Sequence, residues 1–183
     1  KFDNYQKQTF RNRSHVCTDQ GRQMLTIPIK HVGGVQGRQR YNKVRIDNSY
    51  PWQRQHLKTL QTAYRSSPYF EYYEDDLMPF FTKRFDLLFD ANLYGIRTVC
   101  QLIQLDFAVQ FTGSYGTGPV DAIDGRFLVN AKKNLCMDHK PYHQVFAERH
   151  GFIANASILD LLFNEGPNAV SYLKNLSLSF LKL

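Results

Sequence analysis

The stretch from Lys7 to Arg13 is the densest group of anion-binding side chains in the first part of the chain. Lys7, Arg11 and Arg13 place three cations within seven residues, and Asn12 adds an amide. Guanidinium groups bind phosphate and carboxylate through paired hydrogen bonds, and in an extended strand these three cations point to one side. The stretch therefore predicts an anion site. The alternative is a solvated strand that Phe10 anchors.

His56 is the candidate for acid–base chemistry. An unperturbed imidazole has a pKa of about 6.5 and exchanges protons near neutral pH. A helical period from Trp52 to Tyr64 puts His56 on the inward face together with Leu60, while Arg54 falls on the opposite face. No nucleophile adjacent in sequence fixes a catalytic role, so a hydrogen-bonded core histidine is the alternative interpretation.

Two other patterns resemble known sites but lack a required part. Cys136, His139 and His143 have spacings seen in metal sites, yet Pro141 prevents the two histidines from sharing a helical face. Structural zinc usually needs four well-spaced ligands. The glycine-rich segment 113–118 lacks the Gly-Lys-Ser/Thr ending of a phosphate loop. We therefore predict no metal site, and no motif indicates a cofactor.

Composition limits the class of protein. The chain has 183 residues, 43% of them apolar, which is enough for one well-packed domain over 1–183. Its formal charge of +7 favours an anionic partner, and a small molecule fits this requirement. No block of five or more like charges occurs, which disfavours nucleic acid as the partner.

Cysteine content and hydropathy favour a cytoplasmic location. Cys17, Cys100 and Cys136 are odd in number and follow no repeated spacing, which argues against a secreted disulfide framework. The sequence has no apolar run of about 18 residues that would span a bilayer, and its start has no signal-peptide pattern. Because the first residue is not Met, we expect some N-terminal sequence to be missing. Nothing in the pattern indicates an oligomeric state.

The predicted strands lie mainly in the first part of the chain. Strands at 15–18 and 24–29 flank the polar turn 19–21, which predicts a hairpin. Residues 42–47 alternate between polar and apolar, as a half-buried strand does, and 105–111 predict a further strand. The segment 113–140 is rich in Gly, Asp, Lys and Asn and predicts a long loop.

The remaining periodic segments predict helices. The expected positions are 52–64, a helix with Ser67 as its cap that is kinked or restarted at Pro79, 86–103, a helix after Ser157, and a short one at 169–173. In 86–103 the expected buried face contains Phe89, Asn92, Ile96, Val99 and Ile103. Asp160, three residues after Ser157, is expected to complete a capping box. Together the segments predict a single α+β domain with a small, mostly antiparallel sheet covered by several helices.

Several segments, taken in order, resemble the WbqC-like protein family. They are DNYQK at 3–7 with RNR at 11–13, LTIPI at 25–29, WQRQH at 52–56, AY and SPYF between 63 and 70, PYHQVF at 141–146 and SILDLLFN at 157–164. Each motif is weakly specific, but their order extends over most of the chain. Members usually carry a strand and a helix before the Asp3 region, so we expect that this part of the family's N-terminus is missing here.

The resemblance implies a function in bacterial surface-polysaccharide (O-antigen) synthesis. The family has been associated with amino-acid transfer to a sugar, which implies an amino-acid or acyl transferase acting on an amino sugar or nucleotide-sugar intermediate. In that reaction Lys7, Arg11 and Arg13 would bind an acidic or phosphorylated donor, and His56 would deprotonate an acceptor amine or hydroxyl. Asn12, Tyr64, Tyr142 and Gln144 would orient the substrate, or else satisfy buried backbone groups.

Two hypotheses from other classes remain open. The first is a noncatalytic module that binds nucleotide sugar or nucleic acid through basic and aromatic side chains. The second is an assembly protein that uses the aromatic segment 69–73 as a contact surface. Affinity that barely changes with added salt would count against the nucleic-acid version of the first, because such binding releases counterions. Full burial of the 69–73 side chains would count against the second.

Overall fold

The N-terminal part of the fold is an antiparallel hairpin. It pairs β1 (Arg13–Thr18) with β2 (Gly21–Thr26), in a register that runs from Arg13 opposite Thr26 to Thr18 opposite Gly21. Gly21 has a φ of 92°, a conformation that favours glycine after the tight turn. The computed structural model describes residues 2–31, 39–116, 123–131 and 139–179. The predicted hairpin is confirmed within this part of the chain.

Helices make up most of the remaining regular structure. They are α1 (Trp52–Tyr64), α2 (Phe70–Thr82), α3 (Leu88–Leu102), α4 (Ala147–His150), α5 (Ile158–Glu165) and α6 (Ala169–Lys174). Short 3-10 helices occupy Tyr41–Lys43, Arg126–Val129 and Gly166–Asn168. The mixed α+β prediction is therefore confirmed: a small antiparallel sheet packs with helices in one compact domain.

The second helix begins differently from the prediction. Helix α2 starts after Tyr69, and the Ser67 hydroxyl donates to the Tyr64 carbonyl at 2.7 Å instead of capping α2. That bond closes the end of α1, because a serine hydroxyl also satisfies a free C-terminal carbonyl. Pro79 does not restart the helix, which continues to Thr82.

Helix α3 turns a different face to the core from the predicted one. Its buried residues include Leu88 and Ala91, whereas Ile96 is 51% exposed. The buried face predicted for 86–103 therefore combined residues that face the core with residues that face a cavity. The reason is that periodicity alone does not say what a helix packs against.

Two predicted strands do not form. Residues 41–43 are a 3-10 helix, and Arg45 and Ile46 make only isolated bridges, to Leu87 and Ile29 respectively. Val44 and Ile46 are nevertheless buried. The alternating pattern therefore predicted the buried side chains correctly, although the segment is not a strand. Residues 105–111 are irregular. A period-two pattern indicates which side chains are buried, but it does not guarantee a ladder: the backbone of residues 44–47 bonds to residues 28–30 and 86–88 only through isolated bridges.

The predicted long loop at 113–140 is described only in part. Its described residues are irregular apart from the 3-10 helix Arg126–Val129. Segments 117–122 and 132–138, and with them Cys136, lie outside the described residues, as does 32–38. In the described part of the chain, no helix is both long enough and apolar enough to cross a membrane.

Two clusters of buried side chains form the core. One joins β1, α1, α2 and α5 through Val16, Leu60, Tyr64, Phe70, Leu162 and Phe163. The other joins the irregular 44–46 segment to α1 and α3 through Val44, Ile46, Trp52, Phe85, Leu88 and Ala91. Helix α1 contributes to both clusters, so it fixes the position of its own half-buried side chains relative to the hairpin and to α3.

Candidate functional site

A large cavity lies among the start of the hairpin, α1, α2, α3, the 123–129 segment and the N-terminus of α5. Its volume is about 1150 Å³. The lining includes Arg11, Asn12 and Arg13 from the start of the hairpin and His56 from α1. The predicted anion-binding stretch and the predicted base therefore share one cavity, although they are more than forty residues apart in the sequence.

Arg11 is held in place by a carboxylate and an aromatic ring. Its Nη2 forms an ion pair with the Asp3 carboxylate, and its guanidinium carbon lies 5.6 Å from the centre of the Tyr41 ring. The side chain is only 8% exposed. Its Nη1 has no hydrogen-bond partner among the described residues. Buried polar atoms are rarely left unpaired in folded proteins, so Arg11 keeps one unused donor in a residue that lines the cavity.

Asn12 and Arg13 also keep polar atoms unpaired. The Asn12 Nδ2 donates to the Ile27 carbonyl at 3.0 Å, which fixes the amide, while its Oδ1 is buried and unpaired within the described ranges. The same holds for the Nε of Arg13. Three consecutive residues that line the cavity thus each keep a buried polar atom without a partner among the described residues.

Asn92 positions this group of residues, and sequence reasoning did not assign it that role. Its Nδ2 donates to the Arg11 carbonyl at 2.6 Å and to the Tyr41 hydroxyl at 2.5 Å. It also lines the cavity. The available signal was a lone amide on the predicted buried face of a helix, since a buried amide there needs polar partners.

His56 carries a lowered pKa. Burial lowers the pKa of this imidazole below its usual value, and hydrogen bonding with the Thr26 backbone opposes that shift only in part. The ring packs edge-on against Trp52, with ring centres 5.3 Å apart. The neutral form therefore predominates at pH 7, and a neutral imidazole is able to accept a proton.

The charged groups on the cavity wall leave a small positive excess. The lining contains Arg11, Arg13 and Arg126 against Asp3 and Asp124. Arg126 and Asp124 are paired, with Nη2 and Oδ2 2.5 Å apart, and this contact lowers the pKa of Asp124 to about 2. The rest of the lining is largely apolar. A single negative charge on a ligand would balance the wall.

Tyr64, Tyr142 and Gln144 meet at a different place, around the buried carboxylate of Asp160. The Tyr64 hydroxyl donates to Oδ1 at 2.6 Å, and the Tyr142 hydroxyl donates to Oδ2 at 2.5 Å. Gln144 Nε2 donates to the same Oδ2 at 2.8 Å. None of these four residues lines the cavity. In this arrangement the three side chains satisfy a buried charge.

The Asp160 network also connects distant parts of the chain. The Tyr64 hydroxyl accepts from the Cys17 amide at 3.0 Å, and Gln144 forms two hydrogen bonds with the Ile153 backbone. Burial, together with the Asp160 charge, raises the pKa values of Tyr64 and Tyr142, so both phenols stay protonated and donate.

Asp160 was predicted to complete a capping box, and this prediction is wrong. The Ser157 hydroxyl does accept from the Leu159 amide at 3.3 Å, as a cap should. The Ser157 amide, however, donates to the His15 carbonyl at 2.6 Å. This frees the Asp160 carboxylate for the buried network, where a fully buried charge needs several donors.

Two further predicted features lie outside the cavity. Lys7 is exposed and is not part of the lining. Phe70 and Tyr73 of the aromatic segment 69–73 are buried, which leaves Tyr72, at 75% exposure, as its one fully exposed ring. The described residues contain no group of three or more His, Cys, Asp or Glu side chains arranged to hold a metal.

Comparison of the sequence with known proteins shows to which protein family the chain belongs. The model of the WbqC-like protein family matches residues 3–138, which include the cavity residues of the hairpin, α1 and α3. An uncharacterised protein of Mycobacterium tuberculosis, Rv1507c, is 25% identical over 198 residues, covering 93% of this chain and 84% of that protein. No solved structure matches the chain. Because the family match extends over well more than half of its length, the chain belongs to the WbqC-like protein family.

Proposed function

We propose that the cavity binds an anionic small molecule and that the protein is an amino-acid or acyl transferase. Its acceptor would be an amino sugar or a nucleotide-sugar intermediate of bacterial surface-polysaccharide synthesis. One observation carries the proposal: a neutral imidazole and three residues with unpaired polar atoms line the same cavity. A base next to an anion site is what transfer from an activated carbonyl compound requires.

The reaction would begin with an acceptor amine next to His56. The amine nitrogen attacks the carbonyl carbon of an acyl or aminoacyl donor that is activated by an anionic leaving group. As the new C–N bond forms, the bond to the leaving group breaks and its electron pair stays on the leaving group. His56 accepts the proton that the nitrogen loses, because burial keeps the imidazole unprotonated.

Arg11 and Arg13 would stabilise the negative charge on the donor. Charge-assisted hydrogen bonds from guanidinium groups are about twice as strong as neutral ones. The ion pair with Asp3 and the bond from Asn92 to the Arg11 backbone hold the first of these groups before a ligand binds. Such fixed donors need little reorganisation during the reaction. The odd cysteine count fits activity in a reducing cytoplasm.

A noncatalytic module that binds the same class of anionic ligand is the second candidate. It would use the same cavity and the same anion-binding side chains without a chemical step. Nucleic acid is a poorer fit than a small molecule, since Tyr64, Phe70, Tyr73 and Phe85 are buried and unable to stack on bases.

The test is a transfer assay with His56→Gln. Wild-type protein, UDP-N-acetylglucosamine, UDP-glucosamine and a set of aminoacyl or acyl donors are incubated together, and products are identified by mass spectrometry. We expect His56→Gln to slow product formation by about 10² to 10⁴-fold, the usual contribution of a general base. Binding of the donor, measured by calorimetry, should change little.

Arg13→Gln and Lys7→Gln serve as a matched pair in the same assay. The first removes a cation from the cavity lining, so donor affinity should fall, whereas the second removes an exposed cation outside the cavity and should have little effect. Normal turnover by His56→Gln, with a melting temperature equal to the wild type, would contradict the role of His56 as the base. Donor binding by the wild type without any product would leave the noncatalytic module as the function.

A further inference from the structure

The apolar wall of the cavity indicates that the ligand has an apolar part in addition to its anionic group. Resting on the proposed function, we infer that this wall binds the hydrocarbon chain of an acyl group, so that the donor is a long-chain acyl compound carrying an anionic group. The donor class is thereby narrowed from amino-acid or acyl compounds in general to fatty acyl compounds.

The lining residues contributed by the helices and by β2 are mostly aliphatic or aromatic. Representative ones are Leu25, Leu60, Leu77, Phe81, Val99 and Leu159. Burial of hydrocarbon against such a wall is favourable in proportion to the apolar area removed from water. A donor whose transferred group is polar would place hydroxyl or amino groups against these six side chains, which offer no hydrogen bonds, and that is costly.

Part of the polar lining forms one connected group. Asn92 donates to the Arg11 carbonyl, and Arg11 is paired with Asp3. The charged lining side chains, three arginines and two aspartates, leave one positive charge in excess. An anionic head would bind at this connected group, and an apolar chain would lie along the aliphatic and aromatic side chains of the wall.

Ile96 gives independent support from the protein side. It lines the cavity on α3 and is 51% exposed, so a large aliphatic side chain faces solvent when the cavity holds no ligand. A bound chain would remove this surface from water. Ile96 is therefore suited to contact a ligand, and a change there is tolerated by the fold better than a change in the core.

The first measurement is a chain-length series. Acetate, hexanoate and decanoate share a carboxylate and differ only in methylene groups, so calorimetry separates the head from the chain. We expect affinity to rise by about fourfold for each buried methylene, which is on the order of 10² between hexanoate and decanoate. Equal affinities along the series would overturn the inference.

The second measurement uses Ile96→Ser with Leu105→Ser as its control, because a neutral substitution leaves the charge of the lining unchanged. The two wild-type side chains have similar exposure, 51% and 46%, but Leu105 does not line the cavity. Ile96→Ser should weaken decanoate binding severalfold and leave acetate binding unchanged, whereas Leu105→Ser should alter neither. If both variants weaken decanoate binding equally, the cavity does not hold the chain.

The alkylation rate of the Cys100 thiol measures occupancy of the cavity without a substitution in its lining. Cys100 lines the cavity and is partly exposed, while burial raises the pKa of the Cys17 thiol and leaves it unreactive. In a Cys136→Ser protein, decanoate should slow the alkylation of Cys100 by N-ethylmaleimide, followed by peptide mass spectrometry. An unchanged rate at saturating decanoate would count against the inference.

Different results would contradict the acyl-chain site and the transferase activity. If the transfer assay yields a product with a small aminoacyl donor while affinity is independent of chain length, the acyl-chain site is wrong and the transferase stands. If decanoate binds with the expected length dependence but no donor yields a product, the acyl-chain site stands and the transferase is wrong.

Discussion

Two buried polar clusters in this molecule differ in whether their hydrogen bonds are complete. Around Asp160, both carboxylate oxygens accept from neighbouring side chains. At Arg11, Asn12 and Arg13, polar atoms remain unpaired within the described residues. A satisfied buried cluster stabilises the fold, whereas an unpaired buried group costs free energy until it is paired. We therefore propose that the first cluster serves stability and that the second serves binding.

The pKa of His56 predicts the pH dependence of transfer. Only the neutral imidazole accepts a proton, so kcat/KM should increase with pH as His56 loses its proton. Because burial lowers the pKa of His56, the half-maximal point should lie below about 6.5, the value of an unperturbed imidazole. The measurement is a pH–rate profile of the wild type. A midpoint at or above that value would show that another group is the base.

Tyr64→Phe tests the role of the Asp160 network. The substitution keeps the ring and removes the hydroxyl that donates to Asp160 and accepts from the Cys17 amide. Both partners are buried, so we expect the free energy of unfolding to fall by about 1–3 kcal/mol, measured by urea denaturation. Tyr72→Phe, at a 75% exposed position, should change it by less than about 0.5 kcal/mol. Equal effects would remove the network from the stability argument.

At the scale of elements, α5 connects the two clusters. Its N-cap Ser157 and its first two residues, Ile158 and Leu159, line the cavity, and the next residue, Asp160, carries the buried carboxylate. The Ser157 amide donates to His15 in β1, and the Phe163 carbonyl accepts from the Tyr69 amide at the start of α2. Position and orientation of α5 therefore depend on both the hairpin and α2.

Gly166 ends α5 in a way that no other residue type allows. Its φ is +52°, and a Cβ placed there would lie 2.6 Å from ring carbons of Tyr69. Gly166→Ala should therefore lower the free energy of unfolding by at least about 2 kcal/mol, through backbone strain and overpacking. Urea denaturation measures the effect, and Gly113→Ala is the control, since nothing lies within 4 Å of its added carbon. A loss no larger than that of the control would mean that the α5–α6 junction relaxes freely.

At the scale of the whole molecule, the two core clusters are tied together by α1. Trp52 belongs to the cluster with Val44 and Leu88, whereas Leu60 and Tyr64, on the same helix, belong to the cluster with Phe163. The cavity lies against both clusters, since Leu60 and Ala91 are among its lining residues. A rigid α1 thus sets the relation between His56 and the rest of the wall.

This arrangement predicts one cooperative unfolding transition. Trp52 is the single tryptophan, and its fluorescence reports the cluster around Leu88 and Val44, while far-UV circular dichroism reports all helices. Urea transitions followed by the two probes should coincide, as expected for a small two-state domain. Loss of the fluorescence signal at a lower urea concentration than the dichroism signal would mean that the clusters unfold separately.

Local signals in the sequence were sufficient for several elements. The hairpin followed from a polar turn between two apolar runs, and α1 from an apolar period of 3.6 residues. Residue type alone was also sufficient to single out Arg11, Asn12 and Arg13 as candidate anion-binding residues and His56 as a candidate base. These features depend on neighbours within a few residues, so the sequence contains them directly.

The tertiary structure decided which candidates share a cavity. Arg11 and His56 line one cavity because the hairpin packs on α1, whereas Tyr64, Tyr142 and Gln144 bond instead to Asp160. The role of Asn92 and the fate of Asp160 also depend on partners 81 and 96 residues away along the chain. Such pairings are set by how the helices pack, and local periodicity says which side of an element is buried without saying what lies opposite it.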